Sequence, residues 1–168
     1  MMYQTGDWVL YGVHGVCKVV GFEKQLVNRK RTEYMVLQPK NQDESKFFLP
    51  TANPTAMAKL QQVLSPEELR TLLASDAVRQ DCWIQDENHR KQHYRDLISS
   101  GDREALLRMV SCLYRYKAAQ AAAGKKFHLC DENFLRDAEK LLISEISLVL
   151  DKSVEDARDY LRETLKSA

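Results

Sequence analysis

His89 and His93 lie one helical turn apart, and Cys82 precedes His89 by seven residues; no other residues come closer to metal-ligand spacing. Two imidazoles at i and i+4 share one face of a helix, an arrangement suited to zinc. The residues between them are not those of an HExxH motif, and no second ligand pair has the usual spacing; His128 and Cys130 form only a loose pair in a loop. Nucleophilic catalysis finds less support. There is no GxSxG, P-loop or dinucleotide fingerprint, and His14 beside Gly15 has no nucleophile to serve. The late carboxylates are spaced as solvated helix faces. The expectation is a non-enzyme without cofactor or metal. A metal-dependent enzyme built on Cys82, His89 and His93 is the rival, and elemental analysis would reveal it.

Phosphate is the chemistry that the remaining pattern suits. Gln85 to His93 is a run of nine residues without an apolar side chain. Such a segment faces water or a polar partner. Arg90, Lys91 and Arg95 lie within about one and a half turns, and phosphate oxygens are natural partners for such a cluster. Arg108 and Arg115 are seven apart and share one side of the following helix. Lys117, Lys125 and Lys126 extend the basic character. Each of these groups also admits the plainer reading of a solvated, charged surface. Trp83 could wedge or stack against a base, but a tryptophan at a helix start is more often a partly buried anchor. Trp8 suits barrel core or rim, and Cys17 and Cys112 suit core.

The chain has 168 residues, 44% hydrophobic and 29% charged, enough for one or two domains with a true core. Net charge is +1, but it is unevenly spread. Residues 1–83 carry ten Lys/Arg against nine Asp/Glu; residues 84–126 carry nine against five; residues 127–168 carry six against ten. The basic excess is therefore central and the tail acidic. Four cysteines without a CxxC pair argue against a disulfide framework. No apolar run is long enough for a bilayer, and MMYQTGDW lacks the apolar core of a signal peptide. A cytoplasmic location is expected.

These residues need elements to hold them. Residues 1–50 read as β, rich in β-branched and aromatic residues and punctuated by Gly12, Gly15 and Gly21. Lys24 to Arg31 reads as a hairpin tip with Asn28 at the turn, Thr32–Gln38 as a strand, Asn41–Glu44 as a second turn, and Lys46–Leu49 as a short strand ended by Pro50. This spacing predicts a small closed SH3- or Tudor-like barrel. From Pro54 the pattern is helical. Ser65-Pro66-Glu67-Glu68 opens one helix. A second is predicted over Trp83–Ser99, and a third from Asp102 to a Gly124 cap. Asp131 opens a fourth, with Leu135, Ala138, Leu142, Ile146 and Val149 on one face, and Ser153 opens the last. The fold class is α+β: a barrel over residues 1–55, then about five helices over 56–168, with the boundary somewhere in 50–64.

Gly6-Asp7-Trp-Val-Leu-Tyr11 with His14-Gly15-Val16 resembles the opening of the CarD/CdnL family and of the polymerase-interacting domain of the transcription-repair coupling factor. Tyr34–Leu37 and Phe48-Leu49-Pro50 are similar to its later strands. Ser100-Gly101-Asp102, Leu113-Tyr114, Gly124-Lys125-Lys126 and Ala138–Leu142 with Glu145 resemble its helical domain. The resemblance covers about residues 3–150 and favours a CarD-like regulator over the coupling factor. It implies a bacterial transcription regulator whose barrel binds the RNA polymerase β subunit, partly by edge-strand addition. The contacting strands would be about 32–38 and 45–49. Lys24, Arg31, Glu33, Tyr34, Val36, Lys46 and Phe48 are the candidate contacts, with Arg29 and Lys30 as neighbours. It implies a helical domain that touches promoter DNA without reading sequence, through Trp83, Arg90, Lys91, Arg95, Arg108, Arg115, Lys125 and Lys126. Such contact would favour the melted promoter. The family's wedge tryptophan falls thirteen residues before the serine of Ser-Gly-Asp; here that position is Glu87, and Trp83 lies four earlier. Gly12 replaces the usual proline after Tyr11. A monomer is expected, with no membrane partner. The alternative keeps the polymerase-binding barrel but gives the helical half a protein partner instead of DNA.

Overall fold

The computed structural model describes residues 3–40 and 45–166, so the turn expected at Asn41–Glu44 lies outside the described residues. The chain divides into two compact units, one ending at Val63 and the other beginning at Leu64.

The front unit is an antiparallel sheet. Its strands are β1 (Trp8–Tyr11), β2 (Val16–Val27), β3 (Lys30–Pro39), β4 (Phe47–Pro50) and β5 (Leu60–Gln62), in the spatial order β4-β3-β2-β1-β5. Among the described residues β4 and β5 remain as two edges, so the sheet is open where a closed barrel was expected. β5 was not legible after Pro54, where the pattern reads helical; only the short helix α1 (Pro54–Met57) forms there, capped by Asn53. β5 then pairs with β1, Leu10 opposite Gln61. That pairing carries the front unit to Val63 rather than to residue 55.

Period-two alternation turns Val9, Cys17, Val19, Met35, Leu37 and Leu49 to one face, where with Leu60 they form the core. Each fully buried side chain of this kind contributes about 1.5–3 kcal/mol. A 3₁₀ turn over Gly12–His14 joins β1 to β2 and ends at Gly15, with φ 74° and ψ −145°. That conformation is open essentially to glycine alone. A register shift between Val19 and Gly21 bulges β2. Beyond it β2 and β3 continue as a hairpin to the Asn28-Arg29 turn, where both residues have positive φ, 49° and 65°. Positive φ at both central residues is the mark of a type I′ turn, whose twist suits a hairpin.

The second unit holds α2 (Pro66–Ala74), α3 (Glu87–Ser100), α4 (Arg103–Ala122), α5 (Leu129–Val149) and α6 (Val154–Lys166), with a 3₁₀ turn at Asp76–Arg79. Ser65 and Glu68 exchange hydrogen bonds as a capping box at the start of α2. Asp102 accepts the Ala105 N–H at the start of α4. At its end Gly124, at φ 70°, closes a Schellman motif: Lys125 N–H bonds Gln120 O, and Gly124 N–H bonds Ala121 O. The buried stripes of α4 (Leu106, Met109, Val110, Leu113), α5 (Leu135, Ala138, Leu142, Ile146) and α6 (Ala157, Leu161, Leu165) share one core. The alanine-rich last turns of α4 are largely exposed and persist on intrinsic propensity.

Two helix starts differ from expectation. α3 begins at Glu87, not Trp83, because the Asp86 side chain accepts the His89 N–H and so fixes the first turn there. α5 begins at Leu129, which leaves Asp131 inside its first turn rather than before it. No described helix is long and apolar enough to cross a membrane.

Candidate polymerase and nucleic-acid contact surfaces

Three acids of α5 each hold an arginine from another helix. Asp131, with no exposed surface, accepts two hydrogen bonds of 3.0 Å from Arg90 Nε and Nη2 on α3. Glu145, buried, accepts Arg103 Nε from the start of α4 at 2.7 Å and also the Leu64 backbone N–H. Glu139, buried, accepts Arg162 Nε from α6 at 3.3 Å. Burial opposes the charged Arg90 guanidinium, but the hydrogen bonds and charge of Asp131 outweigh it, so Arg90 holds its proton more firmly than a free arginine. Arg162 is held in the same way against Glu139.

These clasps correct the reading of Arg90. It is 3% exposed, and Nη1 donates to the carbonyls of Ile84 and Gln85. Every guanidinium nitrogen is engaged inside the unit, so Arg90 is not a surface phosphate contact. Trp83 does not sit on a helix. It lies in the extended segment before α3, half-buried, stacked on Tyr116 at 3.7 Å with the Arg90 guanidinium 4.4 Å from its ring. Its indole N–H donates to Gln85 Oε1. Ring face and polar edge are both in use, which is the anchor arrangement. Trp83 and Glu87 are therefore not neighbours on one helix face.

The other expected phosphate contacts divide into engaged and exposed. Lys91 pairs with Glu87 at 3.3 Å. Arg108 is half-buried, donating to Ala77 O and Glu104 Oε1. Arg115 is exposed but bonds Ser111 Oγ and, at 3.4 Å, Gln80 O. Arg95 is exposed, its guanidinium 5.9 Å from the Phe134 ring. Lys125 and Lys126 are exposed just past the end of α4, whereas Lys117 pairs with Glu132 at 2.9 Å. The segment before α3 follows one face of α4: Cys82 contacts Arg108 O, Asp81 contacts Cys112, and Trp83 contacts Tyr116. His89 is largely exposed and pairs with Asp86 at 3.5 Å. Cys82 is occupied on α4, and among the described residues no three His, Cys, Asp or Glu groups converge to hold a metal.

Sequence reasoning missed the acids of α5. Their signal was available: Asp131, Glu139 and Glu145 fall three or four residues from members of the apolar stripe and so share its face. It also missed Arg79, whose Nη1 donates to Leu73 O and Ser75 O and whose Nη2 donates to Thr164 O, joining the ends of α2 and α6.

In the front unit, Phe22 to Arg31 is exposed without interruption. Lys24 stands opposite Glu33, Leu26 opposite Arg31, and Val27 opposite Lys30. Leu26 is 73% exposed. Glu33 Oε1 accepts the Thr51 hydroxyl. β4 pairs with β3 only over Tyr34–Leu37, so among the described residues no strand lies beside the outer edge of Lys30–Thr32. Phe48 and Lys46 are exposed and Tyr34 is half-buried. Val36 is the exception. It is 3% exposed between Gly21 and Phe48 and offers no side chain to a partner. By strand alternation Tyr34 and Phe48 lie on one face, and Lys24, Arg31 and Glu33 on the other.

A family model described as the CarD-like/TRCF RID domain matches residues 3–62, and one described as the CarD C-terminal domain matches residues 69–162. The chain belongs to the CarD family. CarD proteins are non-catalytic transcription regulators that interact with RNA polymerase. The two matches flank the division between the structural units at Val63 and Leu64. A comparison with curated proteins gives no match.

Proposed function

We propose that this CarD-family protein binds the β subunit of RNA polymerase through its front sheet. Its helical unit then touches promoter DNA without sequence preference and modulates the stability of the open complex. The work is done in the bacterial cytoplasm, by a monomer. The observation that carries this reading is the exposed β2–β3 hairpin, with Lys24, Arg29, Lys30 and Arg31 beside an outer edge of β3 that no strand covers among the described residues. An uncovered strand edge offers backbone groups to a partner strand, and flanking charges select the partner. On the helical unit Arg95, Arg115, Lys125 and Lys126 are the exposed cations of the candidate set.

A pull-down of the intact chain on the isolated β-subunit lobe tests the first half. Retention at low salt is expected, with loss in a Lys24→Glu/Arg31→Glu chain. No retention of the unaltered chain contradicts it. The second reading is a polymerase-bound adaptor whose helical unit holds a protein. One observation favours it: Arg90, Lys91 and Arg108 are already engaged within the unit. Filter binding of the intact chain to promoter DNA separates the two, since affinity through phosphates must fall as salt rises.

A further inference from the structure

The helical unit holds a pair of thiols that neither polymerase docking nor DNA contact uses. Cys82 lies in the segment before α3 and Cys112 on α4. Reciprocal contacts draw them together: Cys82 Sγ lies against Arg108 O, one turn before Cys112, and Cys112 Sγ lies against Asp81, next to Cys82. Both are free thiols. Cys82 Sγ is 3.7 Å from Arg108 O, and Cys112 Sγ is 3.4 Å from Asp81 Oδ1. Cys112 is buried, but Cys82 is only partly so and remains open to a small oxidant.

We propose that Cys82 and Cys112 are a reversible redox pair, oxidised by hydroperoxides to an intrachain disulfide that fastens the Trp83 segment to α4.

The surroundings assign the two sulfurs different parts. The neighbouring Cys112 thiol, with Arg108 and Arg115 nearby, holds the Cys82 thiol below its usual range despite burial. Its hydrogen bond to Cys82, together with burial, pushes Cys112 far above that range. Cys17 is pushed up by burial to about 11, and Cys130 is raised by burial and by Asp131. Cys82 is thus the one cysteine of the four whose environment favours thiolate, the form that attacks. Its sulfur attacks one peroxide oxygen, the O–O bond breaks, and hydroxide leaves to take up a proton as water. The product is a sulfenic acid at Cys82. The Cys112 sulfur then attacks the Cys82 sulfur, the S–O bond breaks, and the oxygen departs as water with the Cys112 proton. Two thiols and one hydroperoxide become one disulfide and, for hydrogen peroxide, two waters. A dithiol reductant reverses the step by exchange. The bond would constrain the segment that carries Trp83 and the two carbonyls holding Arg90.

The test treats the intact chain with substoichiometric hydrogen peroxide, then maps its peptides without reduction. The expected result is a Cys82–Cys112 linked peptide, a loss of two of the four thiols, and recovery of both with dithiothreitol. In a Cys112→Ser chain the reaction should stop at Cys82 as a sulfenic acid that dimedone traps. The proposal is overturned if the intact chain oxidises first at Cys130 or Cys17, or if Cys82 links elsewhere. It is overturned equally if the thiol count stays at four while Cys112→Ser gives no dimedone adduct.

Discussion

The two units of this chain use arginine in opposite ways. In the front unit Arg29 and Arg31 stand on an exposed hairpin with, among the described residues, no buried acid beneath them. In the helical unit Arg90, Arg103 and Arg162 turn inward to Asp131, Glu145 and Glu139 on α5. The +4 excess of residues 84–126 therefore overstates the positive charge that reaches water, because part of it is matched by acids from the −4 tail. A local charge count reports composition; which side chains can meet a phosphate depends on where the opposite charges fold back. A buried clasp is also not the same as a stabilising one, since desolvating both ions offsets most of their attraction. What such a pair does is penalise any state in which one partner is lost.

Breaking one clasp should produce the largest effect. Asp131→Ala leaves Arg90 buried and unpaired and should cost about 3–5 kcal/mol, read as a lower urea midpoint of the helical unit. The double change Arg90→Met/Asp131→Leu should recover most of that loss. A single change as mild as a surface substitution would equate Arg90 with the hairpin arginines. It follows that Arg90→Glu cannot serve as a DNA-contact variant, because it would unfold what it is meant to probe.

Alkali should weaken the front unit through its one buried thiol. Burial pushes the Cys17 thiol up to about 11. Between its ordinary value near 9 and that value the folded thiol stays protonated while the unfolded one ionises. The unfolded chain then binds fewer protons, so stability falls as pH rises through this window and levels above it. Urea unfolding followed by Trp8 emission in a Trp83→Phe chain should show the fall, and Cys17→Ala should lessen it, leaving the part due to Tyr3, which burial and Asp7 also raise.

The smallest effect belongs to the hairpin tip. Arg29 holds φ 65°, which costs a non-glycine residue roughly 1 kcal/mol. Arg29→Gly should stabilise the front unit by about that amount, and destabilisation would mean that the arginine side chain is held at the turn.

Much of this architecture was legible because its signals are local. The Ser65–Glu68 box, the Asp102 cap, the Gly124 stop and the Asn28 turn each depend on residues within a few positions of one another. What was illegible depends on distance in sequence. Arg90 reads as surface because its partner is 41 residues away. β5 reads as part of a helical region because only pairing with β1, some fifty residues earlier, makes it a strand. The start of α3 was misplaced by a local contest: Trp83 begins the apolar pattern, yet Asp86 can cap and Trp83 packs on Tyr116 instead. Val36 enters as a contact only through the family resemblance, which does not show the cover that Phe48 provides across the pair.

The central claim is that the exposed cations of the helical unit, not the clasped ones, carry contact with DNA. The slope of log affinity for promoter DNA against log salt tests it most directly. The intact chain is compared with one carrying Arg95→Gln, Arg115→Gln, Lys125→Gln and Lys126→Gln. The account predicts unchanged folding and a slope shallower by about one for each phosphate contact removed. An identical slope in both chains would contradict it.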